Sequence, residues 1–413
     1  MSIANKVVRE IFLCRTAFGF RGISWLSIVD NGVCESNIQS LNLGVVNKQT
    51  GGGLVVNVWK SLLLLVAVIL VWGACTSQGP TGEAIPIGAS VQIEVPLGLP
   101  PLAIPTGNPP TAETIALGRR LYYDPMLSVD GTVACASCHH PETGFSDGKS
   151  VSEGVNGQKG GRNAPTVFNA AYFTTQFWDG RAANLEEQAE GPVQNPIEMA
   201  HTLEGVEERL MGDASYRSDF EQAFGAGPIN YQMVGKSIAS FERTIISGNS
   251  PFDRYFYGGQ EEALDEAARR GLEVFRNLEK GNCAACHSVG LFTDNLFHNI
   301  GVGVDENGEL TDLGRHEVTQ QDSDRGAFKT PSLRNITLTA PYMHDGSLKT
   351  LKEVIDFYVG GGNSNRHLDP QLKVLTPISE TGNVNWSRDD LEAFLESLTG
   401  EMPPNVDPPA EVQ

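Results

Sequence analysis

Apolar residues recur at helical spacing in four places along the chain. Between Thr111 and Tyr123, Leu117 and Leu121 stand four apart, as on one face of a short helix. Val234, Ile238, Phe241 and Ile245 mark a stronger amphipathic helix over Tyr231 to Ile246. Leu264, Ala267, Ala268, Leu272 and Phe275 form a third stripe, and Leu391, Phe394, Leu395 and Leu398 a fourth. Ser387 with Asp390 reads as a capping box for the last helix and Gly400 as its stop. From Phe145 to Asn169 the chain is instead rich in Gly, Asn and Ser with no helical period, which predicts a long loop. Long ordered loops are usually functional. The pattern is that of a mainly α protein with long loops.

The N-terminal part reads differently. Residues 1–53 carry no clear periodicity and end in Gly51-Gly52-Gly53, so they are expected to be unstructured or to precede the true start of translation, near Val55 or Val58. Lys60 then precedes the apolar run Ser61 to Val71, followed by Trp72-Gly73-Ala74-Cys75. A basic flank, a short apolar core and small residues make 54–75 an export signal, and the run is short for a membrane span. Cys75 is a candidate lipidation site, although Trp72 fits poorly three residues before it, and the two options stay open. Residues 76–110, rich in Pro and Gly, read as a tether, and the Pro-rich tail 401–413 as disordered.

The chemistry sits between the helical stripes. Cys135-Ala-Ser-Cys138-His139 is echoed by Cys283-Ala-Ala-Cys286-His287. In C-x-x-C-H the two thiols add to the haem vinyl groups and the histidine reaches the iron. One copy alone is also compatible with a zinc half-site or a redox dithiol. Two full copies, each behind a helical stripe, favour two covalently bound c-type haems. The motifs use four of seven cysteines, and Cys14, Cys34 and Cys75 precede the folded region, so no disulfide framework remains. A chain of 413 residues, 40% hydrophobic, can bury two cores. The expected division is an N-terminal haem domain at 111–255 and a second at 256–400, each cytochrome c-like. The net charge of −20 argues against nucleic acid and permits a basic partner, though an acidic exterior also serves solubility. In bacteria, covalent haem attachment needs an exported chain, which agrees with the signal and points to the periplasm.

From about Thr111 to Gly400 the sequence resembles the bacterial di-haem cytochrome c peroxidase and MauG family. The resemblance rests on Gly157-Gln-Lys-Gly-Gly-Arg-Asn163-Ala-Pro-Thr, Phe177-Trp-Asp-Gly-Arg181, Glu187-Gln188-Ala, Gly191-Pro192, Asn195-Pro-Ile-Glu198-Met199 and Pro341-Tyr-Met-His-Asp-Gly-Ser347. It implies a first, peroxidatic haem on His139 with Glu198 as the acid and base toward hydrogen peroxide and Gln188 lining the same pocket. It implies that Trp178 relays electrons between the haems. It also implies a calcium ion between the domains, held by the Asn163 side chain and the Thr339 and Pro341 carbonyls. His344 resembles a residue near the second haem's propionates, with packing an equally good reading. His201, His298, His316 and His367 carry no assignment.

Two departures from the peroxidase pattern bear on function. Ahead of the Gly-Gln-x-Gly string, ordinary peroxidases carry a histidine that blocks the first haem until the second is reduced; this chain has Val155 and Asn156. Val cannot ligate and Asn would be an unusual ligand, while His140 adjoins the proximal His139. The first haem is therefore expected to be five-coordinate or water-bound. The far ligand of the second haem is a methionine in the peroxidases, and the corresponding position here is Tyr358, as in MauG-like members; Met343 is the alternative. A thioether raises the potential and suits a haem that accepts electrons, whereas tyrosinate stabilises ferric and higher states.

The leading reading is thus a periplasmic MauG-like enzyme that reacts with peroxide at an open haem and uses a high-valent di-haem state to oxidise a side chain of a protein partner, Trp being the expected one. The second reading is a conventional cytochrome c peroxidase drawing electrons from a small cytochrome. A third, from another class, is a di-haem electron carrier without catalysis, against which Glu198 argues. The partner's identity, lipid anchoring and a homodimer are left open.

Overall fold

The computed structural model describes residues 83–278, 281–372 and 388–412. The predicted export signal, Cys75 and the Ser387 half of the capping box lie outside them. Thr81–Gln413 forms one compact unit. It is helix-rich, and its one small sheet pairs β1 (Phe297–His298) with β2 (Phe328–Lys329), antiparallel, with Phe297 opposite Lys329.

Five helices frame the site. The helix α1 (Ala112–Tyr123) starts where the Thr111 and Thr114 hydroxyls each accept the other's backbone N–H, which satisfies two otherwise orphaned donors. The helix α2 (Tyr231–Glu242) is capped by Asn230, and α3 (Glu266–Arg276) by Asp265. A capping box of Thr350 and Glu353 starts α4 (Leu351–Val359), and α5 (Arg388–Glu396) comes last. The predicted stripes overrun two of these ends. Ile245 and Leu398 are buried but lie past their helices, where the chain turns. Gly400 is no helix stop; its N–H donates to Asn335 Oδ1 at 2.8 Å.

Two crossings organise the buried core. The helix α1 crosses α2 at Gly118, where a Cβ would lie 1.8 Å from the Ser237 carbonyl oxygen. The helix α3 crosses α5 at Gly271, where a Cβ would lie 2.0 Å from the Asp390 carbonyl oxygen. In both, only glycine lets the backbones approach this closely. Around the first crossing Leu117, Leu121, Val234 and Ile238 pack in one cluster. Around the second, Phe252, Phe275, Phe292 and Phe394 form an aromatic cluster with ring centroids 4.9–6.2 Å apart. Pairs at such separations add about 0.5–1.5 kcal/mol each beyond burial.

The segments that follow the two motifs also repeat. Gln176 bridges Ala182, and at one constant interval along the chain Tyr342 bridges Leu348. At that interval Phe177 and Met343 both take positive φ, as do Gly180 and Gly346, and helices begin at Leu185 and Leu351. Trp178 and His344 are counterparts by this rule.

Both flanks depart from expectation. The stretch read as a tether is bound to the body: Ile87 N–H donates to Ala223 O at 2.9 Å, and Lys236 Nζ to Ala84 O at 2.6 Å. Gly98 O accepts from Arg334, whose guanidinium also grips Asp253 through two bonds of 2.8 and 2.9 Å. The tail read as disordered packs on α1. Val406 is buried with Tyr122, Tyr123 and Phe241, the Tyr123 hydroxyl donates to Val406 O, and Arg119 Nε donates to Asp407 O at 2.7 Å. Composition signalled loops in both places, but an apolar side chain and backbone acceptors at the right positions tie them down. Among the described residues no helix is long and apolar enough to cross a membrane.

Candidate functional site: two cavities with a shared wall

Each C-x-x-C-H motif opens onto a cavity. The first, about 420 Å³, is lined by Cys135, Cys138 and His139 and, among others, by Gln188, Pro192, Glu198 and Glu242. The second, about 270 Å³, is lined by Cys283, Cys286 and His287 together with Met343, His344 and Tyr358. Trp178, Phe177, Gln176 and the run Asn163 to Thr166 line both, so the cavities share a wall.

The two histidines are held alike. His139 Nδ1 lies 3.1 Å from Phe145 O, and His287 Nδ1 lies 3.0 Å from Phe292 O. As Nδ1–H donors, they keep Nε2 as the lone-pair nitrogen, the arrangement that orients an imidazole toward a metal. Phe145 and Phe292 both take positive φ, at 57° and 54°, and both rings are fully buried. Such backbone is costly for a bulky residue and is kept where the surroundings over-determine it. Burial pushes both imidazoles below their ordinary pKa, toward the neutral form that ligates.

The thiols fit covalent attachment better than the alternatives. Burial pushes Cys135 and Cys283 up to about 12, far from the free thiolate that a reactive dithiol requires. Two separate cavities, each with two thiols and an oriented imidazole on one wall, suit two haems.

On the wall of the first cavity, Glu198 Oε1 accepts from Asn195 Nδ2 at 2.6 Å. Burial raises the Glu198 pKa, while Arg181 and the Asn195 bond oppose the rise. The loop 154–158 holds the backbone that carries Glu198. Val155 N–H donates to Glu198 O at 2.9 Å, and Gly154 passes so close that a Cβ would lie 2.0 Å from Ile197 O. Val155 is buried in the apolar core and Asn156 is exposed, so neither lines the cavity. His140 is also exposed, with Nδ1 accepting from Glu142 N–H. His139 is the one histidine lining the first cavity among the described residues.

Trp178 occupies the shared wall. Its Nε1–H donates to Asn163 O at 2.9 Å, and its carbonyl accepts from Lys329 N–H at 2.8 Å. Its ring stands 6.5 Å from that of His344, at 71° between planes. His344 in turn stacks on Phe328 at 3.6 Å, and burial pushes it down to about 4, so it is neutral. Arg162 braces this region from outside, pairing with Asp179 at 2.5 Å and Asp312 at 2.7 Å.

In the second cavity Tyr358 comes from the last turns of α4, and burial pushes its phenol well above the ordinary range. A cation at the oxygen would reverse that direction. Met343 lines the same cavity. The chain interval that relates Trp178 to His344 sets Tyr358 against Pro192 in the first cavity, where the side chain has no ligating atom. Asn163, Thr339 and Pro341 also line the second cavity. Asn163 uses Nδ2 on Lys149 O at 2.8 Å, which leaves Oδ1 as its donor toward a cation, and oxygen donors suit calcium.

Three lining residues went unassigned in the sequence. Glu242, at the end of α2, is buried in the first cavity's wall, with Oε2 unpartnered; burial pushes its pKa up to about 8. His298 lies between Asp369 at 2.6 Å and Asp294 at 3.0 Å, and is pushed up to about 10 by the Cys286 sulfur first and by the two carboxylates. Lys329 is buried beside the shared wall. The internal repeat was a signal within reach, since it pairs Trp178 with His344. Nothing local marked Glu242 or Lys329. His201, His316 and His367 line neither cavity.

Comparison with known proteins agrees with this architecture. Residues 112–262 match the family described as di-haem cytochrome c peroxidase. The chain is 40% identical over 301 residues to the methylamine utilization protein MauG of Methylophilus methylotrophus, covering 72% of this chain and 85% of that one. It is 35% identical over 305 residues to the cytochrome c551 peroxidase of Pseudomonas aeruginosa, covering 72% and 82%. Its fold matches the crystal structure of a MauG-like protein associated with microbial copper homeostasis, with TM-score 0.69 and 34% identity, covering 78% of this chain and 99% of that one.

Proposed function

Because the chain belongs to the di-haem cytochrome c peroxidase family, which includes MauG, we propose that it is a periplasmic MauG-like oxidoreductase that reacts with hydrogen peroxide in the first cavity and oxidises a protein partner. Two haems, bonded to Cys135 and Cys138 and to Cys283 and Cys286, would supply the iron that takes peroxide and holds the oxidising equivalents. The observation that carries the reading is the difference between the two linings: Pro192 and Glu198 in the first cavity, Tyr358 in the second.

The residues divide the work. His139 and His287, fixed by the Phe145 and Phe292 carbonyls, would offer Nε2 to the two irons. Glu198, held by Asn195, takes a proton from the near oxygen of peroxide and returns it to the leaving oxygen. Gln188 lines the same space and orients the substrate. Trp178, in van der Waals reach of both cavities, carries electrons across the wall. Tyr358, which lines the second cavity, would supply an oxygen ligand to the second haem. Asn163, Thr339 and Pro341 would hold a calcium ion at the shared wall, and the halves 111–255 and 256–400 would be the two haem domains.

Met343 on the second cavity's wall favours the runner-up, a conventional peroxidase with a thioether ligand. Electron paramagnetic resonance of the ferric protein separates them. The MauG-like reading requires a high-spin first haem and a second haem whose low-spin signal is lost in Tyr358→Phe. A second-haem signal that survives Tyr358→Phe and disappears in Met343→Leu overturns it.

A further inference from the structure

Four cationic side chains are buried among the described residues: Lys236, Arg243, Lys329 and Arg334. Three of them have carboxylates. Lys236 pairs with Glu83 at 3.0 Å, Arg243 with Glu186 at 2.9 Å and Arg334 with Asp253 at 2.8 Å. Lys329 forms no ion pair among the described residues. Its Nζ donates to Thr175 O at 2.7 Å and lies 4.5 Å from the centre of the Phe173 ring. Asp179, the carboxylate whose field reaches it, is already engaged by Arg162 and Arg181.

A buried ammonium with one carbonyl and one ring is not compensated. Desolving a charge costs several kcal/mol unless an opposite charge answers it, and burial accordingly pushes Lys329 down to about 7. An anion at hand would offset this, and Lys329 faces the second cavity. The same residue holds the shared wall, since its backbone N–H donates to Trp178 O while its ammonium reaches Thr175 O three residues earlier.

We propose that Lys329 is the binding group for a carboxylate of the ligand in the second cavity, and so ties that ligand to the segment carrying Trp178. This rests on the reading that the cavity holds a haem, whose propionates are then the carboxylates concerned. The chemistry is ionic pairing, with no bond made or broken. A cation beside the haem favours the ferrous state and raises its potential. Lys329 is a positioning residue, acting on the haem's charge and on the wall that carries Trp178.

The test is spectroelectrochemistry of the wild type, Lys329→Met and Lys329→Arg, with haem content measured in each. Met keeps length and removes charge; Arg keeps charge. The expected result is a downward shift of the second haem's midpoint potential in K329M, largely restored in K329R, with the first haem unchanged. An unshifted second-haem potential in K329M carrying both haems overturns the proposal. Should K329M fail to load haem, resonance Raman of Lys329→Gln, which also removes the charge, decides. A changed propionate-bending frequency at the second haem supports the pairing, and an unchanged one overturns it. Absence of covalent haem in the wild type would instead overturn the family reading on which the proposal rests.

Discussion

Trp178 and His344 stand ring to ring, 6.5 Å between centroids and 71° between planes, and each occupies the same place in its own half of the chain. One half's turn has become an indole that touches both cavities, the other's a buried neutral imidazole stacked on Phe328. The repeat thus meets itself at the wall that the two cavities share. The two linings differ at another pair of equivalent positions, Pro192 in the first cavity and Tyr358 in the second.

Glu198→Gln removes the only proton acceptor proposed for peroxide and is expected to slow the peroxide reaction about 10²–10⁴-fold while leaving haem content intact. The base must be ionised, and burial holds its pKa above the ordinary carboxylate range. The rate in wild type should therefore fall as pH drops through that raised value, and stopped-flow rates against pH should lose this acid limb in E198Q.

Glu242 gives a stability prediction of known sign. Its carboxyl is raised from 4.5 to about 8 in the folded chain. The folded state then holds a proton that the unfolded state releases, so the contribution is fully present below about 4.5, declines as pH rises and is lost above about 8. Glu242→Gln should flatten this dependence, gaining on the order of a few kcal/mol relative to wild type at pH 9 but little at pH 4. Denaturant titrations at the two pH values check it.

The two helix crossings tolerate no Cβ. Gly118→Ala and Gly271→Ala would each drive a methyl into a carbonyl oxygen, at 1.8 and 2.0 Å. Overpacking of this kind costs about 1–3 kcal/mol, and more where backbone must move. Thermal unfolding should show a lowered Tm in both, with Gly212→Ala, whose Cβ meets nothing within 4 Å, not lowered.

Calcium removal tests the Asn163, Thr339 and Pro341 set. A ligand bound only by the folded state stabilises it by about 2.7 kcal/mol at a hundredfold excess over Kd. Chelation should lower Tm, with recovery on adding calcium, and Asn163→Ala should abolish that recovery.

Helices α1, α2, α3 and α5 were legible because their apolar faces follow a single period, and the motif residues because C-x-x-C-H recurs with its spacing unchanged; α4 was not read from its period. What escaped was decided by distant partners. Ile245 and Leu398 read as helix from their period, yet the chain turns before them to close contacts with Asn169 and Asn335. Val406 lay in a Pro-rich tail, but one apolar side chain meeting Tyr122 and Tyr123 outweighs that composition. Lys329 and Glu242 carry no local mark at all, since a buried charge looks like any other charge until its surroundings are known.

The central claim, that the first cavity is open to peroxide in the resting oxidised protein, is tested most directly by adding one equivalent of hydrogen peroxide to the as-isolated diferric protein and following its haem and near-infrared spectra. The account predicts immediate loss of the ferric spectrum, with a near-infrared band from charge shared between the two haems. No change until the second haem has been reduced would contradict it.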